Sequence, residues 1–222
     1  MEKPSQIKIS PSIASGPLTN LKATLSELEN SGATHIHFDI EDGSFVPVMN
    51  LGVKVIGELR PLSKLPFDVH LMMVNPEWLI PDLARMGANQ VSVHYEACPY
   101  PRRTLRLITE HGMSAGLAFN PTTPIPDLNF CLPYLSFIVI LTTEPEIGDC
   151  PFLPATLEKI NEGKSRPEFM EISWVADGGI SVDNAKQVAE AGADMMVIGR
   201  GIFKEGKISN NIQDIKNAVN SL

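Results

Sequence analysis

His35-Ile36-His37-Phe38-Asp39-Ile40-Glu41-Asp42-Gly43 reads as a buried strand running into a polar turn. Alternate residues of a strand share a face. Ile36, Phe38 and Ile40 therefore point one way, and His37 and Asp39 the other. An imidazole and a carboxylate two residues apart are poor core material, because burying either without a partner costs several kcal/mol. A divalent metal ion would satisfy both.

Outward from this stretch the chain repeats strand, turn, helix. Strands are expected over 7–10, 67–71, 90–94, 114–119, 135–141, 172–176 and 195–198. Helices are expected over 17–31, 51–59, 76–86, 101–111, 154–161, 182–191 and 211–222, with a weak one over 124–131. Leu18, Leu21, Leu25 and Leu28 set the helical spacing in the first of them. Three helix-to-strand joints read almost alike: Ser31-Gly32-Ala33-Thr34, Met86-Gly87-Ala88-Asn89 and Ala191-Gly192-Ala193-Asp194. Glycine ends each helix and a strand begins at once. The strands are short and nearly all apolar, as in a parallel sheet covered on both faces. Eight such units in 222 residues fit one closed (β/α)8 barrel, an α/β domain spanning 1–222. An open doubly wound sheet is the alternative. The first strand is not followed by GxGxxG, which disfavours its dinucleotide-binding form.

The formal net charge of −8 argues against nucleic-acid binding and against an anionic membrane surface. A small anionic substrate stays compatible, since glycine turns and helix N-termini bind phosphate locally. The three cysteines, Cys98, Cys131 and Cys150, form no CxxC pair and read as small apolar fillers. Residues 1–10 lack the apolar core of a signal peptide, and no apolar run is long enough to cross a bilayer. A cytoplasmic location is expected.

Functional groups of a β/α barrel gather where its strands end. Those ends offer Ser12; His37, Asp39 and Asp42; His70; His94 and Glu96; Asn120; Thr142, Thr143 and Glu144; Asp177-Gly178-Gly179; and Gly199-Arg200-Gly201. His37, Asp39, His70 and Asp177 form a two-histidine, two-carboxylate set suited to zinc, iron, manganese or cobalt. A lone strand histidine is more often a hydrogen-bonded structural residue, but here all four groups fall at one end of the barrel. His35 sits deeper and reads as structural and His111 as a helix cap, while the pattern leaves His94 open, a place behind the ligands being one reading of it. Asp39 and Asp177 come from opposite walls. Two such carboxylates can take a proton from one face of a carbon and return one on the other, once a metal acidifies that carbon. Gly178, Gly179, Gly199 and Arg200 lie where barrels commonly bind phosphate, although the same glycines also suit ordinary turns.

Ile9-Ser10-Pro11-Ser12, His37 to Gly43, Phe45-Val46-Pro47, Asp68-Val69-His70-Leu71-Met72, Asn120-Pro121-Thr122-Thr123-Pro124 and Asp177-Gly178-Gly179-Ile180 together resemble the ribulose-phosphate 3-epimerase family. The resemblance runs from about Ile7 to Phe203. It implies a TIM barrel with one divalent metal held by His37, Asp39, His70 and Asp177. It implies an isomerase of carbohydrate metabolism, in which Asp39 and Asp177 invert C3 of a ketose phosphate through an enediolate. Ser12 would lie near the substrate, and Met72 would shield the enediolate from water. The expected partners are a small sugar phosphate and further copies of the chain.

Departures from the family pattern gather at the substrate end. The loop after the sixth strand, Leu141 to Cys150, loses glycines and gains Glu144, Glu146 and Asp149. Glu41 stands where the family has methionine, and Ser44 and Val48 replace histidine and asparagine. Gly199-Arg200 replaces Gly-Ser. These changes raise two alternatives: the same chemistry on a different ketose phosphate or related sugar, and a sugar-binding barrel without catalysis. The Glu41, Glu144-Pro145 and Gly199-Arg200 pattern is similar to a divergent bacterial branch of sugar epimerases.

Overall fold

The computed structural model describes residues 7–145 and 150–220. Eight strands form one sheet: β1 Lys8–Pro11, β2 Ile36–Glu41, β3 Phe67–Met72, β4 Gln90–His94, β5 Ser114–Phe119, β6 Phe137–Leu141, β7 Ser173–Asp177 and β8 Met195–Ile198. Every ladder is parallel, and β1 pairs with β8. The seam between β1 and β2 is joined more sparsely. Ser12 bridges to His37, the Thr34 N–H donates to Ile9 O at 2.9 Å, and the Ile9 N–H donates to Thr34 Oγ1 at 2.9 Å. The expected barrel forms.

Around it lie α1 Leu21–Asn30, α2 Lys54–Leu59, α3 Ile80–Met86, α4 Pro101–Glu110, α5 Leu157–Ser165, α6 Ala185–Glu190, α7 Arg200–Phe203 and α8 Ile208–Asn220. The helix expected over 124–131 is absent. Thr123 and Ile125 each precede a proline, which disfavours helical dihedrals, and Pro124 and Pro126 have no N–H to give. A single 3-10 turn, Leu132–Tyr134, follows instead. Several helices are shorter than their apolar pattern, with 3-10 turns at Leu18–Asn20, Pro76–Leu79 and Pro154–Thr156 ahead of them. The seventh strand runs one residue further than expected, to Asp177. The last helix begins at Ile208, and residues 221–222 of its expected range lie outside the described residues.

Period-two alternation splits the barrel chemically. Outward residues such as Ile36, Phe38, Val69, Val91 and Ile138 join the large core beneath the helices. Inward residues divide into two halves. Ala118, Phe137, Val139, Leu141, Val175, Met195 and Val197 form a separate apolar cluster from β5 to β8. Phe137 fills its base because Gly116 opposite has no side chain; an added Cβ would meet that ring at 2.3 Å. Ser10, His37, Asp68, His70, Ser92 and His94, all buried, come from β1 to β4. These groups find partners in one another and at the mouth, except Ser92 Oγ, which has none among the described residues.

Candidate active site

Three neighbouring units carry ionisable residues two apart: His37 and Asp39 on β2, Asp68 and His70 on β3, and His94 at the end of β4 with Glu96 in the 3-10 turn that follows. Asp177 joins them from β7. His37 Nε2 lies 3.1 Å from Asp39 Oδ1 and 3.8 Å from Asp177 Oδ2. His70 Nδ1 lies 3.2 Å from Asp177 Oδ2 and 3.9 Å from Asp39 Oδ1. One ligand atom from each of the four lies within 4.8 Å of all the others. Two imidazole nitrogens and two carboxylate oxygens thus converge on one point.

The surroundings are electrostatically suited to a cation. His37 and His70 are fully buried, and Asp177 is 8 % exposed. Burial would push the Asp39 carboxyl up, but His37, His70 and a hydrogen bond from Ser12 Oγ outweigh it and hold it at about 2. Burial would likewise push His37 down, but Asp39 and Asp68 raise it well above an ordinary histidine. A place that draws a proton onto a buried imidazole is a place for positive charge. The His37, Asp39, His70 and Asp177 cluster could hold a metal ion, and its mixed nitrogen and oxygen donors fit one.

The supporting bonds were only partly foreseen. Asp68 Oδ2 lies 2.6 Å from His37 Nδ1 and also accepts from Ser10 Oγ, while its Oδ1 accepts from Gln90 Nε2 at 2.9 Å. This pins the ring with Nε2 toward the cluster. The spacing Asp68-x-His70 was the available signal, since both side chains must face inward with His37. Burial would raise the Asp68 carboxyl, and the His37 contact leads the effects that lower it. Burial lowers His94 to about 4, so it is held neutral behind His70.

Other candidates have local tasks. Asp42 Oδ1 accepts from the Ser44 and Phe45 N–H groups at 2.8 Å, and its Oδ2 accepts from Val74 at 2.9 Å. His35 contacts Thr34 Oγ1, and His111 Nδ1 donates to Leu107 O at 2.9 Å, capping α4. Cys98, Cys131 and Cys150 are buried.

A cavity of about 300 Å³ opens over the cluster. Its wall includes Ser12, Asp39, Met72 and Asp177, together with Gly178, Gly179, Gly199 and Arg200. The residues expected near the substrate therefore meet one space, except His70, which is also expected to touch the substrate but is fully buried and not part of that wall. Gly178 and Gly179 turn the chain with φ of 102° and 67°, and a Cβ on Gly178 would meet Thr143 at 2.3 Å. Arg200 Nη2 donates to Cys150 O at 3.0 Å. Glu41 and Glu144 also line the cavity. The Asn50 N–H donates to Glu41 Oε2 at 2.7 Å, and burial raises the Glu41 carboxyl. Glu146 and Asp149 lie outside the described residues.

Fold and site define a class: a (β/α)8 barrel with a buried His/Asp cluster that could hold a metal ion at the mouth of its strands. Comparisons with known proteins narrow it. The model of the ribulose-phosphate 3-epimerase family matches residues 8–203. The ribulose-phosphate 3-epimerase of Bacillus subtilis is 36 % identical over 213 residues, covering 95 % of this chain and 98 % of that one. That of Synechocystis is 37 % identical, covering 96 % and 94 %, and that of Escherichia coli K12 is 36 % identical, covering 96 % of each. The chain belongs to the ribulose-phosphate 3-epimerase family. Remoter structures share only the fold. KGPDC from Streptococcus mutans superposes with a TM-score of 0.70 at 13 % identity, covering 98 % of this chain and 99 % of that one. N-(5'-phosphoribosyl)anthranilate isomerase from Pyrococcus furiosus gives 0.64 at 14 %, covering 97 % and 100 %. Among the described residues no helix is long and apolar enough to cross a membrane.

Proposed function

We propose that this chain is a metal-dependent 3-epimerase of a ketose phosphate, with ribulose 5-phosphate as its first candidate substrate. The observation that carries the reading is the convergence of Asp39 and Asp177, from β2 and β7, on one point that both imidazoles reach. His37, Asp39, His70 and Asp177 would hold a divalent cation, with zinc, iron, manganese and cobalt as candidates, and its positive charge would acidify a C–H next to a carbonyl. Asp39 and Asp177 approach the reacting carbon from opposite walls. One removes the proton, leaving a planar enediolate, and the other, already carrying a proton, donates on the far face. Ser12 holds Asp39 Oδ2 and so aims that carboxylate. Met72 contributes an apolar wall that excludes water from the carbanion. Gly178, Gly179, Gly199 and Arg200 stand on the same cavity where the phosphate end would rest.

Asp39→Asn and Asp177→Asn test the assignment. Each keeps the size of the side chain and removes its basicity. Inversion by the metal-loaded protein should fall about 10²–10⁴-fold in each variant. Near-normal rates in both would remove the two bases.

A second reading keeps the chemistry and changes the sugar. Glu41 and Glu144 on the cavity wall favour it, because carboxylates accept from hydroxyls and repel phosphate. Comparing ribulose 5-phosphate with a panel of ketose phosphates separates the two. Turnover of ribulose 5-phosphate well above the rest of the panel sinks this second reading.

A further inference from the structure

His70 is contacted at both ring nitrogens. Its Nδ1 faces Asp177 and Asp39, and its Nε2 lies 2.9 Å from Nε2 of His94. The two ring planes lie within 18° of each other, and both residues are completely buried. Two nitrogens this close share one proton. With two, hydrogens collide; with none, lone pairs repel.

Which ring owns that proton is decided one residue further out. His94 Nδ1 lies 3.2 Å from Glu96 Oε2. An ionised carboxylate only accepts, so the proton of a neutral His94 sits on Nδ1. Its Nε2 is then bare and accepts. The shared proton therefore belongs to His70 Nε2, which leaves His70 Nδ1 to the cluster: without a metal it carries a proton toward Asp177 Oδ2 at 3.2 Å, and that proton is the one a cation displaces. Glu96 is itself fixed, because its Oε1 accepts the Asn120 N–H at 2.8 Å.

We propose that Glu96 is a positioning residue that acts through His94 to set the tautomer of His70 and present Nδ1 to the cation. The relay runs Glu96, His94, His70 across β4 and β3, and matches the single-step orientation of His37 by Asp68. It rests on the reading of His70 as a metal ligand given above.

Glu96→Gln inverts the chain without changing its shape. The backbone N–H of Asn120 takes the amide oxygen of the new side chain. The amide NH2 then faces His94 Nδ1, which must accept. His94 moves its proton to Nε2, and His70 loses the one on its own Nε2, so its remaining proton is confined to Nδ1, where it blocks a cation. Glu96→Asp keeps an acceptor-only group and so keeps the native order. A purely structural role ranks these variants the other way, since Gln is the isostere of Glu and Asp is shorter.

The test uses full-length protein labelled with ¹⁵N-histidine. Long-range ¹H–¹⁵N correlation on metal-free samples assigns the tautomers, and chelator competition gives the affinity for Zn²⁺. The wild type and Glu96→Asp should hold His70 as Nε2–H. Glu96→Gln should show His70 Nε2 without a proton and bind Zn²⁺ about 10–100-fold more weakly than the wild type. A His70 Nε2 without its proton in the wild type, or an unchanged Nε2 and affinity in Glu96→Gln, overturns the relay. Failure of the wild type to bind Zn²⁺ at all, with the tautomers as stated, overturns the metal reading and leaves the relay standing.

Discussion

Glu96 shows how one carboxylate serves both stability and the site. Burial would raise its pKa, but hydrogen bonds from His94, Thr123 and the Asn120 N–H bring it to about 2. The folded carboxyl thus lies below its ordinary value of 4.5, and the unfolded state binds more protons between the two. Stability from this group is full above about pH 4.5 and drains away as pH falls toward 2. Acid unfolding of the wild type should be steeper in that window than that of Glu96→Gln, followed by circular dichroism along a pH series. Parallel curves would show that the group does not titrate with folding. At this scale the ligands themselves were legible, because His37-x-Asp39 cannot be buried unpaired. The helpers were harder to find. Asp68 contacts His37 rather than its own strand neighbour His70, and Glu96 acts across two rings. Such partners come from the register of adjacent strands, which no single strand reveals.

Between β5 and β6 a proline-rich loop takes the place of a helix, and a side chain from elsewhere supplies its missing bonds. Lys159 Nζ on α5 donates to Asn120 O, Pro121 O and Thr123 O at 3.0, 2.7 and 2.7 Å. Lys159→Met keeps the apolar stem and strips the ammonium from Pro121 O and Thr123 O, while Asn120 O keeps the Thr123 N–H at 3.1 Å. It should lower unfolding stability by about 2–3 kcal/mol in a denaturant titration. A loss near zero would mean that water replaces the ammonium. The same helix carries Gly163, whose absent Cβ would lie 2.0 Å from the Trp174 ring. Alanine normally favours a helix interior by about 1 kcal/mol over glycine. Here the buried ring cannot retreat, so Gly163→Ala should destabilise by about 1–3 kcal/mol. A raised melting temperature would contradict that packing. Helix positions were legible from leucine spacing and glycine stops, and their lengths were not. Pro76 and Pro154 set 3-10 entries, and Pro81 sits in the first turn of α3, details that an apolar pattern does not record.

Across the whole molecule, the barrel interior is an apolar plug on one side and a polar column on the other. The plug fixes β5 to β8 by packing, and the column fixes β1 to β4 through hydrogen bonds that end at the mouth. Eight strand–helix units made closure legible, and the glycine joints gave its rhythm. The division of the interior was not, since Val139 and His70 occupy equivalent inward places on different strands. The consequence for function is that Asp177, last on β7, crosses from the apolar half to meet Asp39 in the polar one. That meeting predicts a definite fate for one hydrogen. With metal-loaded wild type, ribulose 5-phosphate in D2O and NMR at low conversion, every inverted molecule should carry one deuteron at C3. Inverted product that keeps its original C3 proton would mean a single group ferries it, and would contradict two acids working on opposite faces.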